Sequence, residues 1–220
     1  MANVIRLAKL VEAGENNEAV AEADRLISQG VPVKEIISNG LIVALRALEE
    51  KCTTENFQLL DVLLASRAMT EVIDQVIARK LENAMDQISD LCIPKNPDTN
   101  TTKTLVIGTI QGDVHDLGKH LVATISKMSG IRVINLGKDV PPEVFVDAAI
   151  REKADIIGVS SLMTVCLPAI NEIRILSMKK SIQPVIVAGG AAVQQAKHKY
   201  IDVDYVAFDA FDALHYFLKI

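Results

Sequence analysis

The chain contains no tryptophan, and its phenylalanines and tyrosines bring the aromatic content to only 4%. A site built on an indole ring is therefore excluded. Cysteine is scarce too: Cys52, Cys92 and Cys166 are odd in number and far apart. They give neither a metal-ligand spacing nor a disulfide framework, and a reducing cytoplasm is the expected compartment. Positive charge is not in surplus, with 23 Lys and Arg against 28 Asp and Glu and a net charge of −5. Without a basic stripe, nucleic acid is not expected as a partner. The apolar runs are too short to span a bilayer, so no membrane partner is expected. The opening "MANVIRLAKLVEAGENN" turns acidic and polar early and is read as an amphipathic helix, not a signal peptide. What the chain does have is apolar residues. They make up 50% of its 220 residues, enough for the core of one large domain or two small ones.

The periodicity of those apolar residues changes part-way along. Residues 1 to about 90 read as helix throughout. Val4, Leu7, Ala8 and Val11 share one helical face, and Ile36, Ile37, Leu41, Ala44, Leu45 and Leu48 share another. Gly30 is placed to stop the helix before it. The long stretch from Phe57 to Ile88 is expected to hold one break. Four or five helices with short connections make an all-α bundle over 1–93. The run "PKNPDTNTTK", 94–103, is rich in residues that disfavour helix and reads as a linker. Beyond it, "TLVIGTI", "RVINL", "DIIGVSS", "PVIVAGG" and "DYVAF" are short β-type runs separated by helical stretches near 117–129, 141–153, 168–180, 192–199 and 209–219. That alternation predicts a five-stranded parallel sheet covered by helices, a flavodoxin-like (Rossmann-like) domain over 104–220. Such folds bind ligands at the carboxyl ends of the strands, near the switch in strand order. The loops "QGDVHDLGKH", "SSLMTVCLP" and "GGAAV" are then the ones to inspect.

In the first loop, Asp113 stands two residues before His115 and can accept a hydrogen bond from one imidazole nitrogen. This fixes the tautomer and raises the basicity of the other nitrogen. A solvated loop histidine is the plain alternative. No His, Cys and carboxylate cluster supplies the three or four ligands of a zinc site. A lone histidine ligand makes sense where a macrocycle, a corrin or a porphyrin, provides the rest of the coordination sphere. Gly118 either eases a loop-to-helix junction or lets a ligand approach the backbone. The string "GDVHDLG" is not a phosphate-binding GxGxxG pattern. Ser160, Leu162 and Thr164 fit capping and packing as well as ligand contact, and Gly189 and Gly190 fit a turn as well as an opening.

Taken together these residues resemble the cobalamin-binding signature Asp-x-His-x-x-Gly, Ser-x-Leu, Gly-Gly. The spacing carries the likeness: 41 residues stand between Gly118 and Ser160, and 26 between Leu162 and Gly189. With a helical bundle ahead of the domain, the layout is similar to that of methyltransferase corrinoid proteins and of the cobalamin module of methionine synthase. The resemblance implies cobalamin as cofactor (methylcobalamin and its Co(I) form), bound base-off and His-on. His115 would be the lower cobalt ligand and Asp113 would hold the far side of its ring. Gly112, Val114, Asp116, Leu117 and Gly118 would complete the first cofactor loop. Ser160, Leu162, Thr164, Gly189, Gly190 and Ala191, with Phe208 and Asp209, would line the slot for the nucleotide tail. The helical bundle would cap the reactive face, with Phe57 shielding the methyl group. The residue after "SSLMTV" is usually Ser or Thr in such proteins and bonds the aspartate; here it is Cys166, a weaker donor. It would stand in the proton relay of His115 and Asp113.

The function implied is that of a methyl carrier in an anaerobic O-demethylase, methanol or methylamine system, one component of a multi-protein methyltransferase. Its partners would be a substrate-specific methyltransferase, a methyltransferase serving an acceptor such as tetrahydrofolate, and a reductive activating protein. A cobalamin-dependent sensor is the alternative. It would call for a cap tryptophan and an attached DNA-binding domain, neither of which is expected here. Adenosylcobalamin mutase subunits lack the helical half. A receiver domain needs an acidic cluster around a phosphoacceptor Asp, which the strand ends do not offer.

Overall fold

A computed structural model describes residues 2–52, 59–82, 103–196 and 201–220. The chain divides into two compact units, 1–93 and 94–220. The linker expected at 94–103 lies, apart from Lys103, outside the described residues.

In the first unit, α1 (Ala2–Glu12) and α2 (Asn16–Ser28) are followed by α3 (Val33–Ile36), a π turn (Ile37–Leu41) and α4 (Ile42–Cys52), which run on as one helix. A second continuous run joins α5 (Leu59–Val72), a π turn (Ile73–Ala78) and α6 (Arg79–Glu82). The bundle core is the set of buried apolar faces, Val4, Leu7, Ala8 and Val11 of α1 with Ile36, Ile37, Leu41, Ala65, Met69 and Ile73, and α1 packs on α2, the first π turn, α4 and α5. Gly40 sits where a Cβ would come within 3.2 Å of both Val4 and Leu7, so a side chain there would push the first π turn off α1. The break expected between Phe57 and Ile88 does not fall within 59–82. A π turn there absorbs one extra residue while keeping Ile73, Val76 and Ile77 buried.

The second unit is the expected parallel sheet. Its strands are β1 (Thr104–Thr109), β2 (Arg132–Asn135), β3 (Ile156–Ser160), β4 (Val185–Gly189) and β5 (Tyr205–Ala207), in the order β2-β1-β3-β4-β5. Between them come α7 (Leu117–Met128), α8 (Pro142–Glu152), α9 (Leu167–Lys179) and α10 (Ala191–Gln195), and α11 (Ala210–Lys219) closes the chain. All neighbours pair in parallel. β1 is buried along its whole length, which is why it reads as an unbroken apolar run. On one side Phe145, Ile170 and Ile173 of the helices pack on Val106, Ile157 and Ile186. Gly108 lets this happen: a Cβ there would lie 2.7 Å from the Phe145 ring. The chain reverses strand order between β1 and β3, so the crevice of this fold opens above those two strands. No helix among the described residues is long and apolar enough to cross a membrane.

Candidate functional site

One rung of the sheet carries the site. Thr109 pairs with Ser160, Ser160 with Gly189, and Gly189 with Ala207, so four strands end side by side. Two residues of the sequence signature, Ser160 and Gly189, are therefore direct neighbours although 28 residues lie between them in sequence. The loops that leave this rung bring the remaining residues together.

Asp113 is fully buried and accepts five hydrogen bonds. Its Oδ1 takes the backbone N–H of His115 at 2.9 Å and ring Nδ1 of His115 at 2.7 Å. Its Oδ2 takes Ser161 Oγ at 3.0 Å, Leu162 N at 2.7 Å and Met163 N at 3.2 Å. Burial pushes the carboxyl up, but the His115, Leu162 and Ser161 hydrogen bonds outweigh it and hold Asp113 below the usual carboxylate range. An ionised carboxylate can only accept, so the proton of the neutral imidazole sits on Nδ1 and the Nε2 lone pair is left over. The His115 side chain is half-exposed, and Nε2 has no hydrogen-bond partner among the described residues. The ring is thus fixed at one nitrogen and free at the other.

The other expected residues take several roles. Gly112 has φ +87°, as a tight turn requires, and donates its N–H to Asp139 at 2.8 Å. Val114 is exposed, and Asp116, Leu117 and Gly118 lie half-buried at the start of α7. Ser160 and Leu162 are half-buried and Thr164 is exposed. The two glycines differ. A Cβ on Gly189 would find nothing nearer than Ala207 at 3.8 Å, whereas one on Gly190 would lie 2.2 Å from the Ser161 carbonyl oxygen. Gly189 has room for a Cβ, while Gly190, at φ +107°, lets the β3 and β4 loops touch. Ala191 begins the short α10. Asp209 caps α11 by accepting the N–H groups of Phe211 and Asp212 at 2.9 Å each, and Phe208 beside it is exposed. Phe57 lies outside the described residues.

Cys166 departs from expectation. It is buried, but the donors to Asp113 are His115, Ser161, Leu162 and Met163, not the thiol. Sγ lies 3.1 Å from where a Gly112 Cβ would be. Burial, with Asp113 and Asp139 nearby, pushes the thiol up, so it stays protonated and packs as a small apolar group. The hydroxyl expected at this point of the network comes from Ser161, which the sequence reading passed over. It also passed over Thr109, whose Oγ1 donates to the His115 carbonyl at 3.1 Å and ties the loop to the end of β1. A lone Thr ending an apolar run was the available signal. No group of three or more His, Cys, Asp or Glu able to hold a metal ion occurs among the described residues. A cavity of about 540 Å³ lined by Lys103, Lys153, Asp155 and Pro184 lies at the opposite ends of the strands, away from all these groups.

Comparisons with known proteins point to one family. Residues 103–215 match a family model described as a B12 binding domain, and residues 5–77 match a second model of the same description. Trimethylamine corrinoid protein 1 of Methanosarcina mazei is 32% identical over 216 residues, covering 96% of this chain and 94% of its own. Dimethylamine corrinoid protein 1 of the same organism is 30% identical, covering 90% and 86%. Among solved structures, the monomethylamine corrinoid protein of Methanosarcina barkeri aligns with a TM-score of 0.78 at 22% identity, over 97% of this chain and 96% of that one. A cobalamin-binding protein from Desulfitobacterium hafniense aligns at 0.52 with 18% identity, over 100% and 98%.

Proposed function

This chain belongs to the B12-binding family of methyltransferase corrinoid proteins, with cobalamin as its cofactor, and from that premise we propose that it carries methyl groups with His115 as the lower cobalt ligand. The observation that carries this reading is the His115 ring, held at Nδ1 by a saturated, buried carboxylate and free at Nε2. The residues fit the group. A single available nitrogen suits a metal whose other ligands would come from a macrocycle, and Gly189 has room for a side chain where a nucleotide tail would pass.

Bound cobalamin supplies a cobalt that accepts and releases the methyl group. The chain's residues do the rest. Asp113 keeps the proton on Nδ1, so Nε2 presents its lone pair. Ser161, Leu162 and Met163 hold the charge of Asp113 in place, so the ring does not drift when the ligand bond is weak or absent. Ser160, Leu162, Thr164, Gly189, Gly190 and Ala191 line the tail slot. Asp209 takes part only at the slot's edge, since its carboxylate is already committed to the α11 cap. The methyl donor is a methylamine, in line with the trimethylamine and dimethylamine corrinoid proteins among the relatives. Methanol and aryl methyl ethers are the weaker alternatives. The partners are a substrate-specific methyltransferase, an acceptor methyltransferase using a carrier such as tetrahydrofolate, and a reductive activator.

The test is electron paramagnetic resonance of the protein loaded with cobalamin and poised as Co(II). A nitrogen ligand from below splits the cobalt lines. Wild type is expected to show the splitting and His115→Ala to lose it while still binding the cofactor. Splitting that survives in His115→Ala without added imidazole rules the assignment out. Methyl uptake from each methylamine, methanol and an aryl methyl ether, with the matching methyltransferase, decides the donor.

A further inference from the structure

The carboxylate of Asp113 is held from the β3 side. Its backbone is held from the other side, by a loop that contains no residue of the signature. This loop, 136–140, follows β2, and the residue that matters in it is Asp139. The Asp139 N–H donates to the Asp113 carbonyl at 3.0 Å, and Asp139 Oδ1 accepts the Gly112 N–H at 2.8 Å. One residue thus makes two reciprocal bonds to two consecutive residues of the His115 loop. The flanks of the loop are fixed as well. Thr109 donates its N–H to Gly137 O and accepts the Val140 N–H at its own carbonyl, both at 3.0 Å. Asn135 Oδ1 accepts the Gly137 N–H at 3.0 Å and closes the base of the turn.

Asp139 does this in a conformation that L-residues rarely adopt. Its φ is +56°, one of three positive values at non-glycine residues in the described chain. The other two have an ordinary cause. Lys153 is the left-handed C-cap of α8, and Ser181 follows the last turn of α9. Asp139 ends no helix. Aspartate tolerates this region better than most residues, and such conformations persist where the surroundings over-determine them.

We propose that Asp139 is a positioning residue for the lower cobalt ligand: by clamping Gly112 and Asp113 it sets the height and tilt at which the His115 imidazole is presented. The inference rests on the reading of His115 as that ligand. Val114 and His115 are exposed, so the segment after Asp113 has little packing of its own to fix it. Without the clamp the carboxylate stays bonded to Ser161 and Leu162. The turn at Gly112 then gains freedom, and the backbone that carries the ring shifts about the anchored carboxylate, so the imidazole is presented at a range of heights and tilts.

The experiment uses the full chain loaded with cobalamin and poised as Co(II) at neutral pH. Asp139→Gly accepts the positive φ and keeps the backbone donor, but removes the oxygen that holds Gly112. Asp139→Asn keeps an acceptor in the same place. The glycine variant is expected to bind cobalamin stoichiometrically while the nitrogen-split fraction of the spectrum falls at least threefold. The asparagine variant is expected to restore it. An unchanged split fraction in Asp139→Gly overturns the proposal, as does loss of splitting that Asp139→Asn fails to rescue. A wild-type measurement keeps the test decisive if the glycine variant does not fold: the Gly112 amide of the cofactor-free protein should exchange at least tenfold more slowly than the exposed Val114 amide, and equal rates overturn the clamp. His115→Ala serves as the control. Splitting that persists there defeats the ligand assignment itself, whereas splitting lost there but intact in Asp139→Gly defeats only the role of Asp139.

Discussion

Asp113 and His115 meet twice on one oxygen: Asp113 Oδ1 accepts the backbone N–H of His115 at 2.9 Å and its ring Nδ1–H at 2.7 Å. The first bond fixes the loop and the second fixes the ring, so the histidine cannot turn without breaking contact with the group that sets its tautomer. All five groups around this carboxylate are donors. Asp113→Asn therefore does more than remove a charge. Its amide must aim N–H groups at donors, either at His115 or at the 161–163 turn. The cofactor-free variant is expected to lose about 2–3 kcal/mol of stability in urea unfolding, and the nitrogen-split Co(II) fraction should fall. Wild-type stability in Asp113→Asn would show that the network is not what the distances indicate.

Ser161 and Cys166 offer a contrast between a donor that is used and one that is not. Ser161→Ala removes one of three donors to Asp113 Oδ2 and should cost about 1–2 kcal/mol in urea unfolding. Cys166→Ser is expected to leave the nitrogen-split fraction unchanged, because Asp113 is already satisfied. A marked shift in Cys166→Ser, with none in Ser161→Ala, would return the thiol to the relay.

Lys119, in the first turn of α7, is only 4% exposed, and its Nζ donates to Asn135 Oδ1 at 3.0 Å. Burial pushes its ammonium below the ordinary lysine value, Asp116 opposes that, and Lys138 adds to it. The folded chain therefore holds this proton less tightly than the unfolded chain. Wherever the folded chain keeps this proton, the cost of burying the charge falls on the folded state. As pH rises through the folded value toward the unfolded one, about 10.4, the folded state sheds its proton first and stability rises. Lys119→Met should be as stable as wild type at pH 7, or more so by about 1–2 kcal/mol, and should lack this alkaline rise. Urea unfolding at pH 7, 8.5 and 10 separates the two curves. A variant less stable at pH 7 would mean that the Asn135 bond outweighs desolvation.

Much of this was legible in the string of residues, for identifiable reasons. A parallel sheet buries both faces, so "TLVIGT" reads as a strand without alternation. The three loops worth inspecting follow from the expected strand order alone. What the string could not separate is Ser160 from Ser161. They are adjacent and chemically alike, and only the register with Gly189 and the turn that follows send one to the rung and the other to Asp113. Asp139 was invisible because its partners lie 26 and 27 positions away and its role depends on a backbone angle. The π turn at Ile73–Ala78 left no trace because the apolar spacing of Ile73, Val76 and Ile77 suits an α-helix equally well.

The division of the chain at residue 93 leads to a fragment test. Every residue proposed to hold cobalamin, Phe57 aside, lies beyond that point, and the sheet has its own core around Phe145, Ile157 and Ile186. Residues 103–220 alone are expected to fold and retain cobalamin, with faster photolysis of its methyl–cobalt bond than in the full chain. A fragment that unfolds or cannot retain the cofactor would show that the helical unit is needed for folding or for binding.

Gly189 and Gly190 are adjacent, yet alanine should act on them in opposite ways. At Gly189 a Cβ meets only Ala207, at 3.8 and 3.9 Å, both ordinary contacts. The residue ends β4 in extended pairing with Ser160 and Ala207, so its backbone suits alanine. Gly189→Ala should keep its stability to within about 0.5 kcal/mol, while cobalamin affinity drops at least tenfold, because the new methyl group enters the space assigned to the tail. At Gly190 a Cβ would lie 2.2 Å from Ser161 O and 2.8 Å from Ser161 C, both backbone atoms, and φ is +107°. The turn at 161–163 would have to move, taking three donors away from Asp113 Oδ2. Gly190→Ala should therefore lose more than about 2 kcal/mol of stability before any cofactor is added. Urea unfolding of the cofactor-free proteins and equilibrium dialysis with cobalamin read the two effects independently. Wild-type affinity in Gly189→Ala would remove that position from the tail slot, and wild-type stability in Gly190→Ala would remove Gly190 from the contact that supports Asp113.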